Sequence, residues 1–280
     1  MPMTTAQNSG GPLLRPEEVG PLLVQPAMLL SVAAQVATVV HTTAHTYRVP
    51  YVAADPTAAW VFEGAEITPS DMALAEVIVT PAKLAGLTIV SRELAEDTSP
   101  AAAEAVGQGL ARDIARKIDA AFFGNMPAPA PAGLGALLGN QVVDTGATIG
   151  NTDVFAEALS LAENVTATTT AFVTSPATAL VLAKVKKAAG SNEPLLGNDP
   201  TAPTKRTVLG VPLYVSPAVT AGTLWAIPVD RVYLIIRADA TIEADRSVYF
   251  TSDRVAVKAT MRVGFAFPHP AAIIKLYDAV

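Results

Sequence analysis

The stretch Trp60-Val61-Phe62-Glu63-Gly64-Ala65-Glu66 opens an unusual order of parts. A strand-like run follows, through Thr80-Pro81-Ala82-Lys83-Leu84-Ala85-Gly86-Leu87-Thr88-Ile89-Val90-Ser91-Arg92-Glu93-Leu94. Then comes one long helical pattern ending at Gly124. Between Tyr51 and Ala82 stand five acids, Asp55, Glu63, Glu66, Asp71 and Glu76, and no Lys or Arg. The segment Glu66-Ile67-Thr68-Pro69-Ser70-Asp71 carries turn residues, with Pro at a position that suits its fixed φ. The spacing predicts a two-stranded arm, and such an arm is marginal alone in water.

The helix is predicted to start at Asp97-Thr98-Ser99-Pro100, with Ser99 as N-cap and Pro100 in the first turn. Val106, Leu110, Ile114, Ile118 and Phe122 recur every four residues and form one apolar stripe. Arg112, Asp113, Arg116, Lys117 and Asp119 are expected mostly off that stripe, and Gly124 closes the helix. About 25 residues at 1.5 Å rise give roughly 38 Å.

Composition points away from a soluble monomeric catalyst. Of 280 residues, 51% are hydrophobic and only 16% charged, against about 25% charged in ordinary domains. The mean hydropathy is +0.38. The most apolar early run, Ala27 to Val40, is broken by Ser31 and Gln35 and falls short of the ~20 residues that span a bilayer. No basic residue precedes Arg15, so the N-terminus does not resemble a signal peptide. The surplus apolar surface is expected in a core or in protein interfaces. Cysteine is absent, which excludes disulfides and thiolate metal sites. The net charge of −6 and pI of 5.1 argue against a basic groove for nucleic acid.

No motif supplies chemistry. Gly133-Leu134-Gly135-Ala136-Leu137-Leu138-Gly139 has its third Gly one place late for a dinucleotide fingerprint and follows the Pro-rich linker Met126 to Pro131 rather than a strand. His41 and His45 have the i,i+4 spacing of zinc ligands on a helix, but they lack the intervening Glu, and His269 is the only other histidine. No catalytic, cofactor or metal residues are therefore expected, and the chain is not expected to be an enzyme.

Around these parts lie an extended Gly- and Pro-rich segment at 1–27, helices over Val154 to Glu163 and from Ser175 to about Lys187, and a long polar loop from Ala188 to Thr207. Val255, Val257, Ala259, Met261, Val263 and Phe265 alternate with polar or small residues, a period of two that puts one face of a strand in the core.

Over residues 28 to 278 this order of parts resembles the major capsid protein of tailed bacteriophages, the Hong Kong 97-type fold. The similarity is carried by the arm, the Asp97 to Gly124 helix, Gly133-Leu134, Gly210-Val211-Pro212-Leu213, and the ending Arg262-Val263-Gly264-Phe265-Ala266-Phe267 … Ala271-Ala272-Ile273-Ile274-Lys275. The resemblance implies an α+β fold with an N-terminal arm at 1–27 and the start of a peripheral domain at 28–45. It implies an extended loop at 46–90, a spine helix within 91–127, an axial domain at 128–240, and peripheral terminal strands at 241–280.

The resemblance also implies a structural protein that self-assembles into hexamers and pentamers of an icosahedral shell around double-stranded DNA, in a virion assembled in the host cytoplasm. No cofactor and no membrane are implied. The implied partners are further copies of the chain, a separate scaffolding protein, a portal and an optional decoration protein. The arm acids Asp55, Glu63, Glu66, Asp71 and Glu76 are expected at an intersubunit contact, with Arg112, Arg116, Lys117, Arg246 and Arg254 as candidate partners on the neighbour. Some relatives weld subunits with a Lys–Asn isopeptide bond. Here Ile67 and Asp253 fall at those two positions, and Thr260 at that of the assisting Glu, so no such bond is expected. The alternatives are an encapsulin-type compartment shell and, from another class, a soluble α+β enzyme.

Overall fold

The computed structural model describes residues 25–91, 100–188, 190–196, 206–245 and 247–279. The expected extended segment before Gln25, the Ser99 cap, Arg246 and much of the 188–207 loop lie outside the described residues.

Two short helices, α1 (Gln25–Leu30) and α2 (Val32–Val36), occupy the early apolar run and lead into β1 (Thr38–Thr42). The arm follows as β2 (Tyr47–Ala54) and β3 (Ala73–Val79), then β4 (Ala82–Ser91) and the long helix α3 (Pro100–Phe123). Next come β5 (Gln141–Asp144), α4 (Asp153–Asn164), β6 (Ala171–Thr174) and α5 (Pro176–Lys184). The chain continues as β7 (Thr207–Val208), β8 (Val211–Val215), β9 (Leu224–Ile227), β10 (Tyr233–Asp245), β11 (Arg254–Ala266) and β12 (Ile274–Tyr277).

These strands form a four-stranded sheet in the order β1-β10-β11-β4, a six-stranded sheet in the order β5-β12-β9-β6-β8-β7, and the separate β2-β3 ribbon. The terminal strands part company. β11 stays with α3, whereas β12 pairs with β5 and β9, so the expected grouping of 241–280 as one peripheral unit does not match the sheets. Likewise β10 begins at Tyr233 in the four-stranded sheet, inside the range expected to be axial.

The α3 stripe performs as its spacing predicts. Ile114, Ile118 and Phe122 are buried against Ala259, Met261, Val263 and Phe265, the alternating residues of β11. The Phe122 and Phe265 rings meet edge to face at 5.2 Å, a favoured aromatic geometry. Gly86 on β4 leaves room for Leu110, whose Cδ2 would stand 3.2 Å from an added Cβ. β6 and β9 are buried at every position because their sheet is covered on both sides. Ala171, Val173, Trp225 and Ile227 face the α3 core, while Phe172, Leu224 and Ala226 face Phe155, Ala158 and Leu182 of α4 and α5. Continuous apolar strands are what two covered faces require.

Three local expectations change. α5 stops at Lys184, not near Lys187. His41 lies on β1 and His45 in the bend after it, so helical ligand spacing does not apply. The Gly133-Leu134-Gly135 segment folds back on the end of α3, and an added Cβ on Gly133 would meet the Ala121 carbonyl oxygen far inside van der Waals contact. Close approach of two backbones is the reason for glycine there.

Candidate assembly surfaces

The arm is anchored at its root and bare beyond it. Val49 and Val79 are buried with Ile235 and Ala266. An added Cβ on Gly264 would stand 2.5 Å from Val79 Cγ1, so the ribbon sits directly on the β11 backbone. The Tyr51 ring meets His269 edge to face at 5.3 Å. Burial first, then the nearby Arg231 charge, lower the His269 pKa below its ordinary value, so the ring under Tyr51 is neutral near pH 7.

From residue 52 to residue 74 every residue is exposed. Trp60, Phe62, Ile67 and Leu74 are among the large apolar side chains in that stretch, and Trp60 touches nothing that shields it. The tip turn falls at Phe62–Ala65, not at 66–71. The Ala65 amide donates to the Phe62 carbonyl at 3.0 Å, and Gly64 adopts φ +83°, open to glycine without strain. Ser70 instead clips the two sides together, accepting from the Thr57 amide and donating to its carbonyl, each at 3.0 Å.

Asp55, Glu63, Glu66 and Asp71 are exposed and make no ion pair with a described residue. Glu76 differs, because Arg48 across the ribbon holds it at 2.7 Å. Arg48 lies just outside the acidic window, which is why one-dimensional counting overlooked it. Arg112, Arg116 and Lys117 are exposed on α3, and Arg254 is exposed at the start of β11. None of these bases is brought to an arm acid within one chain.

Asp119 departs from expectation. It is 6% exposed, at the junction of α3, α2 and the turn after β8. Its Oδ1 accepts from Ser31 Oγ at 2.6 Å and the Ala33 amide at 3.0 Å. Its Oδ2 accepts from the Val32 amide at 3.1 Å and Ser216 Oγ at 3.5 Å. The carboxylate thus satisfies the otherwise orphaned first amides of α2. Helical periodicity alone put Asp119 off the apolar stripe. A neighbouring helix end, which sequence spacing does not reveal, makes its burial tolerable. An open cleft of about 490 Å³ lies beside it, lined in part by Leu30, Val32, Arg112, Arg116 and Pro217.

Strand parity sorts these surfaces onto two sides of the four-stranded sheet. Ala259, Met261 and Val263 face α3, whereas Gly264 and, by alternation, Arg262, Thr260 and Lys258 face the side that carries the arm root. The bases of α3 and the arm therefore lie on opposite sides of the sheet. Among the described residues, no group of three His, Asp or Glu is placed to hold a metal, and no helix is long and apolar enough to cross a membrane.

The chain matches the phage capsid family over residues 11–278. In fold it is similar to the capsid of a native GTA particle, with TM-score 0.69 and 20% identity, covering 100% of this chain and 95% of that one. It is similar also to a structure from Microbacterium phage Oxtober96, with TM-score 0.71 and 19% identity over 88% of this chain and 90% of that one. A third, from Mycobacterium phage Bobi, has TM-score 0.70 and 17% identity over 88% and 90%. Comparison with curated proteins finds no match. The solved capsids share the fold of this two-sheet body, and the match over residues 11–278 shows that the chain belongs to the phage capsid family.

Proposed function

We propose that copies of this chain close into rings of six and five, and that these rings tile an icosahedral shell around double-stranded DNA. Closed rings of both sizes need heterologous contacts, one patch against a different patch. The observation that carries the proposal is the arm: residues 52–74 are exposed throughout, yet include Trp60, Phe62 and Ile67. A continuous apolar and acidic segment without internal support is credible as a contact with a second copy.

In this reading α3, the arm root and the four-stranded sheet form the peripheral part, and the six-stranded sheet with α4 and α5 forms the axial part. The shell works without catalysis and without a metal or cofactor. Scaffolding and portal functions belong to separate proteins, a decoration protein is an optional addition, and assembly takes place in the host cytoplasm. The DNA is enclosed without sequence-specific contacts, in keeping with a net charge of −6. The contacts between copies are noncovalent, because the arm has no Lys between Tyr51 and Ala82 to serve as an amine nucleophile.

Light scattering coupled to size exclusion tests this. The expected species are rings or megadalton particles that run on a denaturing gel as one band near 28.9 kDa. A monomer or two-fold dimer as the only species, under conditions that preserve assembly, overturns the shell. A ladder of covalent oligomers overturns the noncovalent contacts.

A further inference from the structure

The cleft beside Asp119 opens where the two sheets meet. Leu30 and Val32 line it from the short helices on α3, and Val215 and Pro217 line it from the end of β8 and the turn after it. Leu30 is 53% exposed, and Leu29 beside it in the chain is 77% exposed. Two adjacent bare leucines at an apolar cleft form a patch rather than a scattered residue.

The other wall is cationic. Arg112 and Arg116 stand one helical turn apart on α3, so they project from the same face. Both line the cleft and both are exposed. Among the described residues neither has an ion-pair partner. Asp119 does not serve as one, because its two oxygens are engaged by Ser31, Ser216 and the amides of Val32 and Ala33. The cleft therefore offers an apolar floor and two guanidiniums, each shaped to hold a carboxylate. It is also open, so a small ligand would keep much of its surface in water. A chain segment with acids set among aliphatic residues fits it better.

The sequence carries such a segment directly ahead of α1: Leu13-Leu14-Arg15-Pro16-Glu17-Glu18-Val19-Gly20-Pro21-Leu22-Leu23-Val24. Helix α1 has six residues, a length of about 9 Å. The chain from Glu18 to Gln25 can span up to about 25 Å. That is enough to reverse at Gly20-Pro21, a turn-forming pair, and run back along α1 to the cleft. The tether holds the segment over its own cleft at an effective concentration of about millimolar. Pro12, Pro16 and Pro21 reduce the entropy lost on seating.

We propose that residues 13–19 seat in this cleft of their own chain. The Glu17 and Glu18 carboxylates accept hydrogen bonds from Arg112 and Arg116, and Leu13, Leu14 and Val19 lie on Leu30, Val32, Val215 and Pro217. An exposed ion pair alone contributes little, so the apolar contact and the tether decide the outcome. The seated segment bridges α3 and the turn after β8, and so ties the four-stranded sheet to the six-stranded one. The arm leaves from the opposite side of the sheet and does not compete for this site.

A protease that cuts after glutamate supplies the test, because Glu17 and Glu18 are the first acids in the chain and Glu63 on the bare arm is an internal reference. In the unassembled full-length chain, the Glu18–Val19 bond should be cut at least about tenfold more slowly than in a synthetic peptide of residues 11–24, since cleavage follows the fraction of open segment. Arg112→Glu with Arg116→Glu alters exposed side chains, so the fold should survive. That variant should lose most of the protection at Glu18 and keep the wild-type rate at Glu63–Gly64. The absence of native cysteine allows a direct check. Glu18→Cys with Arg116→Cys should give a faster-migrating monomer band on a non-reducing gel. Glu18→Cys with Lys258→Cys, on the arm side of the sheet, should not. Cleavage at Glu18 as fast as in the peptide, or no internal disulfide in the Arg116 pair, overturns the proposal. A disulfide-linked ladder from that pair would place the segment on a second copy and overturn the assignment to its own chain. These readouts use the unassembled chain, so they stand or fall independently of ring closure.

Discussion

Two antiparallel ribbons in this chain have opposite fates. The β10–β11 ribbon is flanked by β1 and β4 and covered by α3. Among the described residues the β2–β3 ribbon has no flanking strand, and past Tyr51 none of them covers it. Both contain apolar residues enough to form strands. A ribbon becomes core only when another element lies on it, and the bare one is left with its apolar side chains in water. In a family of shell subunits, the missing cover is supplied in the proposal by another copy.

The largest expected effect separates the two ribbons by one residue type. Phe122→Ala empties the site where α3 meets β11 and should cost about 3–5 kcal/mol in chemical denaturation of the unassembled chain. Phe62→Ala on the arm should change that value by less than about 0.5 kcal/mol. Equal costs would mean that the arm is already packed within one copy, and the contrast would break.

A second effect concerns how the covered side is tied together. Asp119→Ala removes the acceptor of four donors and should cost on the order of 3 kcal/mol. Asp113→Ala, exposed on the same helix, should be nearly neutral. A neutral Asp119→Ala would show that the α2–α3 junction does not depend on this carboxylate.

A smaller effect sits where the two ribbons touch. Gly264→Ala drives a methyl to within 2.5 Å of Val79 Cγ1 and should cost about 1–3 kcal/mol as overpacking. Amide exchange should quicken in β2 and β3 and stay unchanged in β12. Unchanged exchange in the arm would mean that its root does not rest on β11.

The smallest effect is a pH dependence at the same root. The folded-state pKa of His269 lies below the ordinary 6.5, so the unfolded chain takes up the proton first. The stabilising contribution is present above pH 6.5 and is lost as pH falls through the folded pKa. The wild-type Tm should drop slightly more than that of His269→Gln between about pH 7.5 and pH 5.5. Equal drops would remove His269 from the account.

Much of the fold was legible. The four-residue recurrence from Leu110 to Phe122 and the two-residue alternation from Val255 to Phe265 mark the two faces that pack together. The run of acids and turn residues between Tyr51 and Ala82 marks the arm, because nothing in it supplies a core. The arm's charge partner within the chain was not legible, since Arg48 meets Glu76 only through a cross-strand register. Nor was the burial of Asp119, which depends on the distant Ser31 to Ala33 segment.

The sequence by itself determined which segments are helix, strand and arm, because periodicity and turn chemistry act over a few neighbours. The tertiary structure alone decided how the terminal strands divide between two sheets, which side of the sheet carries the arm, and that Lys83, Arg262 and Arg237 share a row. Those outcomes come from pairing between segments far apart in the chain. A shift of one residue in register would have turned every one of those side chains to the opposite face.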